Sequence, residues 1–175
     1  MAIDLTLKGT GITNRNATPR VLNNPGSGGA GRMYVRYGYL ASVTASLSIT
    51  SVIRLVQIPS NAVVRALYFQ SAAQGAGKFD IGAWRSNVGG LAGVVADQDY
   101  FASAVDCASA VVRTDILNES TTHTIARQNT MVWESVEATP LTADPQCWYD
   151  LAATVVTTDV TTGTGAIALE VWYTI

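Results

Sequence analysis

A chain of 175 residues can bury a core without disulfide or metal staples, and its length suits one domain with at most an added arm. Hydrophobic residues make up 48% of it and charged residues only 14%. An ordinary soluble domain carries about 25% charged residues, so less of this surface is built for water and more for partners. The net charge of −2 says little alone, but residues 1–40 carry Lys8, Arg15, Arg20, Arg32 and Arg36 against Asp4, a net of +4, and residues 41–175 net −6.

Residues 1–40 read as an extended basic N-terminal arm. Asn14, Asn16, Asn23 and Asn24 mix with Pro19, Pro25 and the glycine-rich run at 26–31. That composition cannot hold a helix and offers no sustained apolar face. A basic arm on an acidic body points to docking on an acidic surface, with Arg15, Arg20, Arg32 and Arg36 as candidate contacts. Nucleic acid is the weaker partner, because the basic residues are spread out and the body repels phosphate.

Residues 41–175 read as a β-sandwich domain. Val43, Ala45, Leu47 and Ile49 alternate with Thr44, Ser46, Ser48 and Thr50, which predicts a strand with one core face. Strands are predicted over 52–58 and 63–69, with a turn at Pro59-Ser60-Asn61 and a loop at Gln74-Gly75-Ala76-Gly77. Phe79, Ile81 and Ala83 alternate with Asp80, Gly82 and Trp84. The stretch 87–130 is less regular: a short helical turn is expected within 97–106 and a short strand at 110–113. Residues 130–136 fit either a strand or a short helix. Order returns at Trp148, with Leu151, Ala153 and Val155 alternating. A hairpin turn is expected at 161–165. Ile167, Leu169, Val171, Tyr173 and Ile175 then form the clearest strand, with Glu170 and Trp172 on its other face. Short alternating strands and glycine- and threonine-rich turns imply an all-β fold, a sandwich or jelly roll.

Motifs with chemical meaning fail in context. Gly26, Gly28 and Gly31 match a dinucleotide fingerprint only formally, since no strand precedes them and no acid lies between Asp4 and Asp80. Gly75-Ala76-Gly77-Lys78 lacks the leading glycine and the Ser or Thr of a phosphate loop. Asp97 and Asp99 do not continue as a calcium-binding hand, because Phe101 and Ala102 occupy ligand and glycine positions; a looser site with Asp106 is the remaining metal reading. His123, the only histidine, lies in Thr121-Thr122-His123-Thr124 and reads as an exposed loop residue. No nucleophile–base pair surrounds it. Cys107 and Cys147 form no metal-binding spacing and read as free thiols, a disulfide between them being unneeded at this size. No secretory signal and no membrane-spanning run is visible, so the chain is expected in the cytoplasm when made. No cofactor, metal, membrane or small-molecule substrate is expected, and no enzymatic activity. Trp84, Trp133, Trp148 and Trp172 serve either core packing or binding. The outward position of Trp172 favours an interface.

Several strings resemble head decoration (cement) proteins of tailed bacteriophages: Ile53-Arg54-Leu55-Val56-Gln57-Ile58-Pro59, Ala62-Val63-Val64, Phe79-Asp80-Ile81-Gly82, Asp99-Tyr100-Phe101-Ala102-Ser103-Ala104-Val105-Asp106 and the final strand. The resemblance covers roughly residues 40–175. It implies a jelly-roll-like sandwich that adheres to the major capsid protein on the outer shell, as dimers or trimers, with no catalytic residues. A tail, fibre or baseplate sandwich and a carbohydrate-binding module are the alternatives.

Overall fold

A computed structural model describes residues 32–42, 47–86, 94–160 and 165–175. Its strands are β1 (Met33–Leu40), β2 (Val52–Pro59), β3 (Val63–Ser71), β4 (Lys78–Arg85), β5 (Val95–Asp106), β6 (Val111–Asp115), β7 (Trp148–Val156) and β8 (Ile167–Thr174). Between β6 and β7 lie a 3₁₀ turn, Ile125–Arg127, and a single helical turn, α1 (Val132–Ser135). No helix among the described residues is long and apolar enough to cross a membrane.

Two four-stranded antiparallel sheets form, in the orders β1-β8-β3-β6 and β2-β7-β4-β5. β1 pairs with β8, β2 with β7, β3 with β6 and β4 with β5. Those are the pairs that one long hairpin, bent between β4 and β5, would make. Rolling that hairpin sets β8 beside β3 and β7 beside β4. The result is an eight-stranded jelly roll.

Period-two alternation drives the closure. Ile167, Leu169, Val171 and Tyr173 of β8 are buried, as are Phe79, Ile81 and Ala83 of β4 and Tyr149, Leu151, Ala153 and Val155 of β7. They meet Leu67 and Phe69 of β3 and Val56 and Ile58 of β2 in one core. Each large side chain so buried contributes about 1.5–3 kcal/mol.

Several expectations change. Residues 33–40, read as the end of an arm, are the first strand, and Met33–Ile175 forms one compact unit. The arm residues Arg15 and Arg20 and the glycine-rich run lie outside the described residues. So do 43–46 and most of the expected 161–165 turn. The strand expected over 41–50 is, where described, only a bridge between Leu47 and Val160 followed by a turn at Thr50, whose φ is 75°. The helical turn expected within 97–106 is part of β5, a twelve-residue strand. Its alternation is broken by three register shifts against β4. At one of them Ala104 takes φ 53°, and the Asp80 carboxylate accepts from the Ala104 N–H and from the Gln98 side chain, both at 2.8 Å. The ambiguous 130–136 stretch resolves into α1.

His123 is buried rather than exposed. It retains 3% of its accessible surface, its Nδ1 lies 3.0 Å from the Leu117 carbonyl oxygen, and its ring packs on Tyr100 and Phe101. Cys107 and Cys147 are both free. Burial pushes the Cys107 thiol up to about 11, which leaves it unreactive.

Gly38 of the first sheet packs directly against Leu55 of the second. The register shift between Arg54 and Val56 leaves Leu55 out of the β2–β7 ladder. A Cβ on Gly38 would stand 2.0 Å from the Leu55 carbonyl oxygen. Gly38→Ala is therefore expected to cost about 1–3 kcal/mol or more, read as a lowered urea midpoint; an unchanged midpoint would contradict this packing.

His123 sets a second expectation. Burial lowers its pKa from the usual 6.5; the Leu117 carbonyl opposes that shift and Arg127 adds to it. The unfolded chain thus takes up a proton near pH 6.5 that the folded chain resists. Stability from this group is complete above about pH 6.5 and declines as the pH falls toward the lowered value. Asp97 acts in the opposite sense. Burial, then the neighbouring Asp99, raise it to about 6, so its contribution improves on acidification. The difference in stability between wild type and His123→Gln, measured from pH 7.5 to 5, cancels the Asp97 part. That difference should shrink as the pH falls; a flat difference would refute the assignment.

Candidate interaction surface

The outer face of the β1-β8-β3-β6 sheet carries the side chains that the core rejects. Because Ile167, Leu169, Val171 and Tyr173 point inward, Ala168, Glu170 and Trp172 point outward. The register then assembles rows across the sheet. Tyr37 of β1 lies opposite Glu170, and Glu170 opposite Tyr68 of β3. Val35, Trp172 and Ala66 form the row on one side, and Tyr39, Ala168 and Gln70 the row on the other.

The first row is held by charge. Arg113 of β6 reaches both Glu170 oxygens, at 3.0 and 3.2 Å, and its guanidinium lies 3.5 Å from the Tyr68 ring centroid. The Trp172 indole N–H donates to the same carboxylate, and the Trp172 ring meets Tyr68 edge-on at 6.4 Å. Arg113 first, then Trp172, hold Glu170 below the usual carboxylate range. The last row is hollow, because alanine leaves the floor low. A depression of about 280 Å³ runs over Ala166, Ala168 and Ala72, between Tyr37 and Tyr39 on one side and Val111 and Val112 on the other. Tyr37 and Tyr39 are 63% and 57% exposed, with near-parallel rings 6.4 Å apart. Around the Arg113–Glu170 pair the exposed side chains of this face are mostly aromatic and aliphatic, a composition found at interaction surfaces.

Of the residues singled out in the sequence, Trp172 lies on this face as expected, half-buried beside Tyr68. Arg32 is exposed just before β1. Arg36 points the other way. Its Nη1 donates to the Gln57 carbonyl oxygen at 2.8 Å, and it sits 5.1 Å over the Trp148 ring, bridging the two sheets at their open edge. Trp84 lies beneath Arg54 on the second sheet, and Trp133 packs against the core from α1. Asp97 and Asp99 sit at one end of β5 and Asp106 at the other, opposite Lys78. Among the described residues no group of three His, Cys, Asp or Glu could hold a metal ion.

Sequence reasoning missed Tyr37, Tyr39, Tyr68, Gln70, Arg113 and Glu170 as one surface. The available signal was Val35-Arg36-Tyr37-Gly38-Tyr39, whose aromatic period of two was masked by the glycine- and asparagine-rich run before it.

No protein-family model matches the chain, and no curated protein matches it. Among solved structures it is similar in fold to a chain of the cyanophage Pam1 capsid asymmetric unit. The identity is 15% and the TM-score 0.51, over 91% of this chain and 96% of that one. The two are thus of nearly equal length.

Stability and surface should separate cleanly here. Replacing Tyr37 and Tyr39 with serine should leave the unfolding free energy within about 0.5 kcal/mol, whereas Leu169→Ala on the inner face should cost about 2–5 kcal/mol. Equal losses in urea titrations would mean that the outer tyrosines belong to the core.

Proposed function

We propose that the chain is a non-catalytic structural protein of a tailed-phage virion, bound to the outer surface of the capsid. It contacts the major capsid protein and cements neighbouring capsomers. The observation that carries this reading is the likeness of fold, over nearly the whole of both chains, to a chain of a phage capsid. The β1-β8-β3-β6 face supports it, since Tyr37, Tyr39, Val35 and Met33 leave a broad apolar surface that a free protein has no reason to keep. The only histidine is committed to packing, which supports a role without catalysis.

In this reading the tyrosine face lies on the shell and the basic residues 1–32 reach acidic side chains of an adjacent capsomer. Residues spaced at about 3.3 Å each give such a segment reach well beyond the sandwich. Many weak contacts on one shell sum to large collective stability against the pressure of packaged DNA. The protein gathers in the host cytoplasm during assembly, and it self-associates.

The test is sedimentation of purified protein with undecorated capsids. Saturable co-sedimentation is expected, with capsids that resist heat better once decorated. Deleting residues 2–32, or replacing Arg15, Arg20 and Arg32 with serine, should weaken binding and reduce its salt dependence. A folded wild-type protein that stays in the supernatant at every concentration would overturn the reading.

A further inference from the structure

The four sheet edges of this sandwich are not alike. β2 is interrupted by the register shift at Leu55 and ends on Pro59. β5 carries three register shifts. β6 is five residues long, shifted, and bears Arg113 and Asp115. Bulges, proline, short length and charge are the devices that keep an edge strand from pairing with another chain. β1 has only one of them, the charge of Arg36, and that side chain is turned toward Gln57 and Trp148 of the other sheet. Its eight residues pair with β8 in unbroken register. It contains no proline, lysine or acid, and β8 is its only strand partner among the described residues. Met33, Tyr34, Val35, Tyr37, Tyr39 and Leu40 are all exposed large apolar side chains. Every second residue of an antiparallel strand turns its N–H and C=O away from its neighbour, so β1 presents a row of backbone donors and acceptors flanked by Val35, Tyr37 and Tyr39 on its outer face and by Tyr34 and Leu40 at the ends of its inner face.

We infer that β1 pairs antiparallel with β1 of a second copy of this chain, joining two four-stranded sheets into one of eight strands. Self-pairing suits this edge because it is almost uncharged, with Arg36 its single ionised side chain. Symmetry and chemistry then narrow the register. Directly opposed residues share a face, so a two-fold axis must pass through a residue rather than between two. An axis at Arg36 would oppose two guanidiniums, which destabilises a sheet. An axis at Tyr37 sets Tyr37 on Tyr37 of the other copy, Arg36 opposite Gly38, Val35 opposite Tyr39 and Tyr34 opposite Leu40. These are aromatic, β-branched and aliphatic pairs of the kind that stabilise cross-strand contacts.

Such an axis runs perpendicular to the sheet, so both tyrosine faces look the same way. The inference deepens the self-association in the cement reading, and the dimer's use on a shell rests on that reading. The dimer would double the adhesive face in a single plane.

The experiment uses the full chain in a Cys147→Ser background. Analytical ultracentrifugation at about 50 μM, where a dimer of micromolar affinity is mostly formed, should show a dimer. Tyr37→Lys, which would oppose two ammonium groups on an exposed site, should weaken it at least tenfold, and Val112→Lys on β6 should not. Tyr37→Cys should cross-link into a covalent dimer under mild oxidation, since opposed residues lie within disulfide reach, and Val112→Cys should not. A monomer, a dimer indifferent to Tyr37→Lys, or equal cross-linking at both sites would overturn the pairing. Capsid sedimentation is scored separately. A β1-paired dimer that ignores capsids sinks the cement reading alone, and a monomer that decorates them sinks the pairing alone.

Discussion

The alternation along β8 is the constraint on which the rest of the molecule depends. Ile167, Leu169, Val171 and Tyr173 are drawn inward by burial, and their spacing leaves no freedom for Ala168, Glu170 and Trp172, which must line the opposite face. β8 also sits between β1 and β3, so its register orders both neighbours. One hydrophobic decision therefore sets the core, the order of the first sheet, and the rows of aromatic and charged side chains on its surface. The bidentate Arg113–Glu170 contact and the alanine-floored hollow both follow from which β8 residues were rejected by the core.

The parts of the fold legible in the sequence are those where one face is buried and the other is not. β2 and β8 show this pattern plainly; β4 and β7 alternate large apolar with small or polar residues in sequence, although Asp80, Ala152 and Thr154 on their other face are buried too. β5 did not, because its bulges break the period of two and the compensation comes from elsewhere in the chain, through the Asp80 carboxylate holding Ala104 and Gln98. β1 did not, because its outer face is exposed and apolar while its inner face carries Arg36 and a buried glycine, which reverses the usual alternation. The alternation at 43–50 misled in the other direction. Its described part turns at Thr50, where Ser51 donates back to the Ser48 carbonyl. His123 was misjudged for a related reason. Its threonine-rich neighbours describe a surface loop, and nothing local announces that Tyr100 and Phe101 will roof it.

Glu170 and Trp172 were the surface residues that sequence placed on the outer face, both through the parity of β8. Apart from Ala168, the other members of the surface come from β1, β3 and β6, so only the register brings them together. Low charge content gave the broader hint. A chain with 14% charged residues has less polar surface than an ordinary soluble domain, and the fold gathers exposed apolar side chains at β1 and at the tyrosine face beside it. A weakly protected edge and a face of exposed aromatic side chains are liabilities for a free monomer. They become assets only when many copies work together against a common surface.

The central claim is adhesion to a phage shell, and the most direct measurement is cryo-electron microscopy of the particle that carries this chain. Jelly-roll density is expected on the outside of the capsid, in contact with the major capsid protein, with the β1-β8-β3-β6 face turned toward the shell. Density for this chain confined to the tail, or a shell bare of it in particles that contain the protein, would contradict the account.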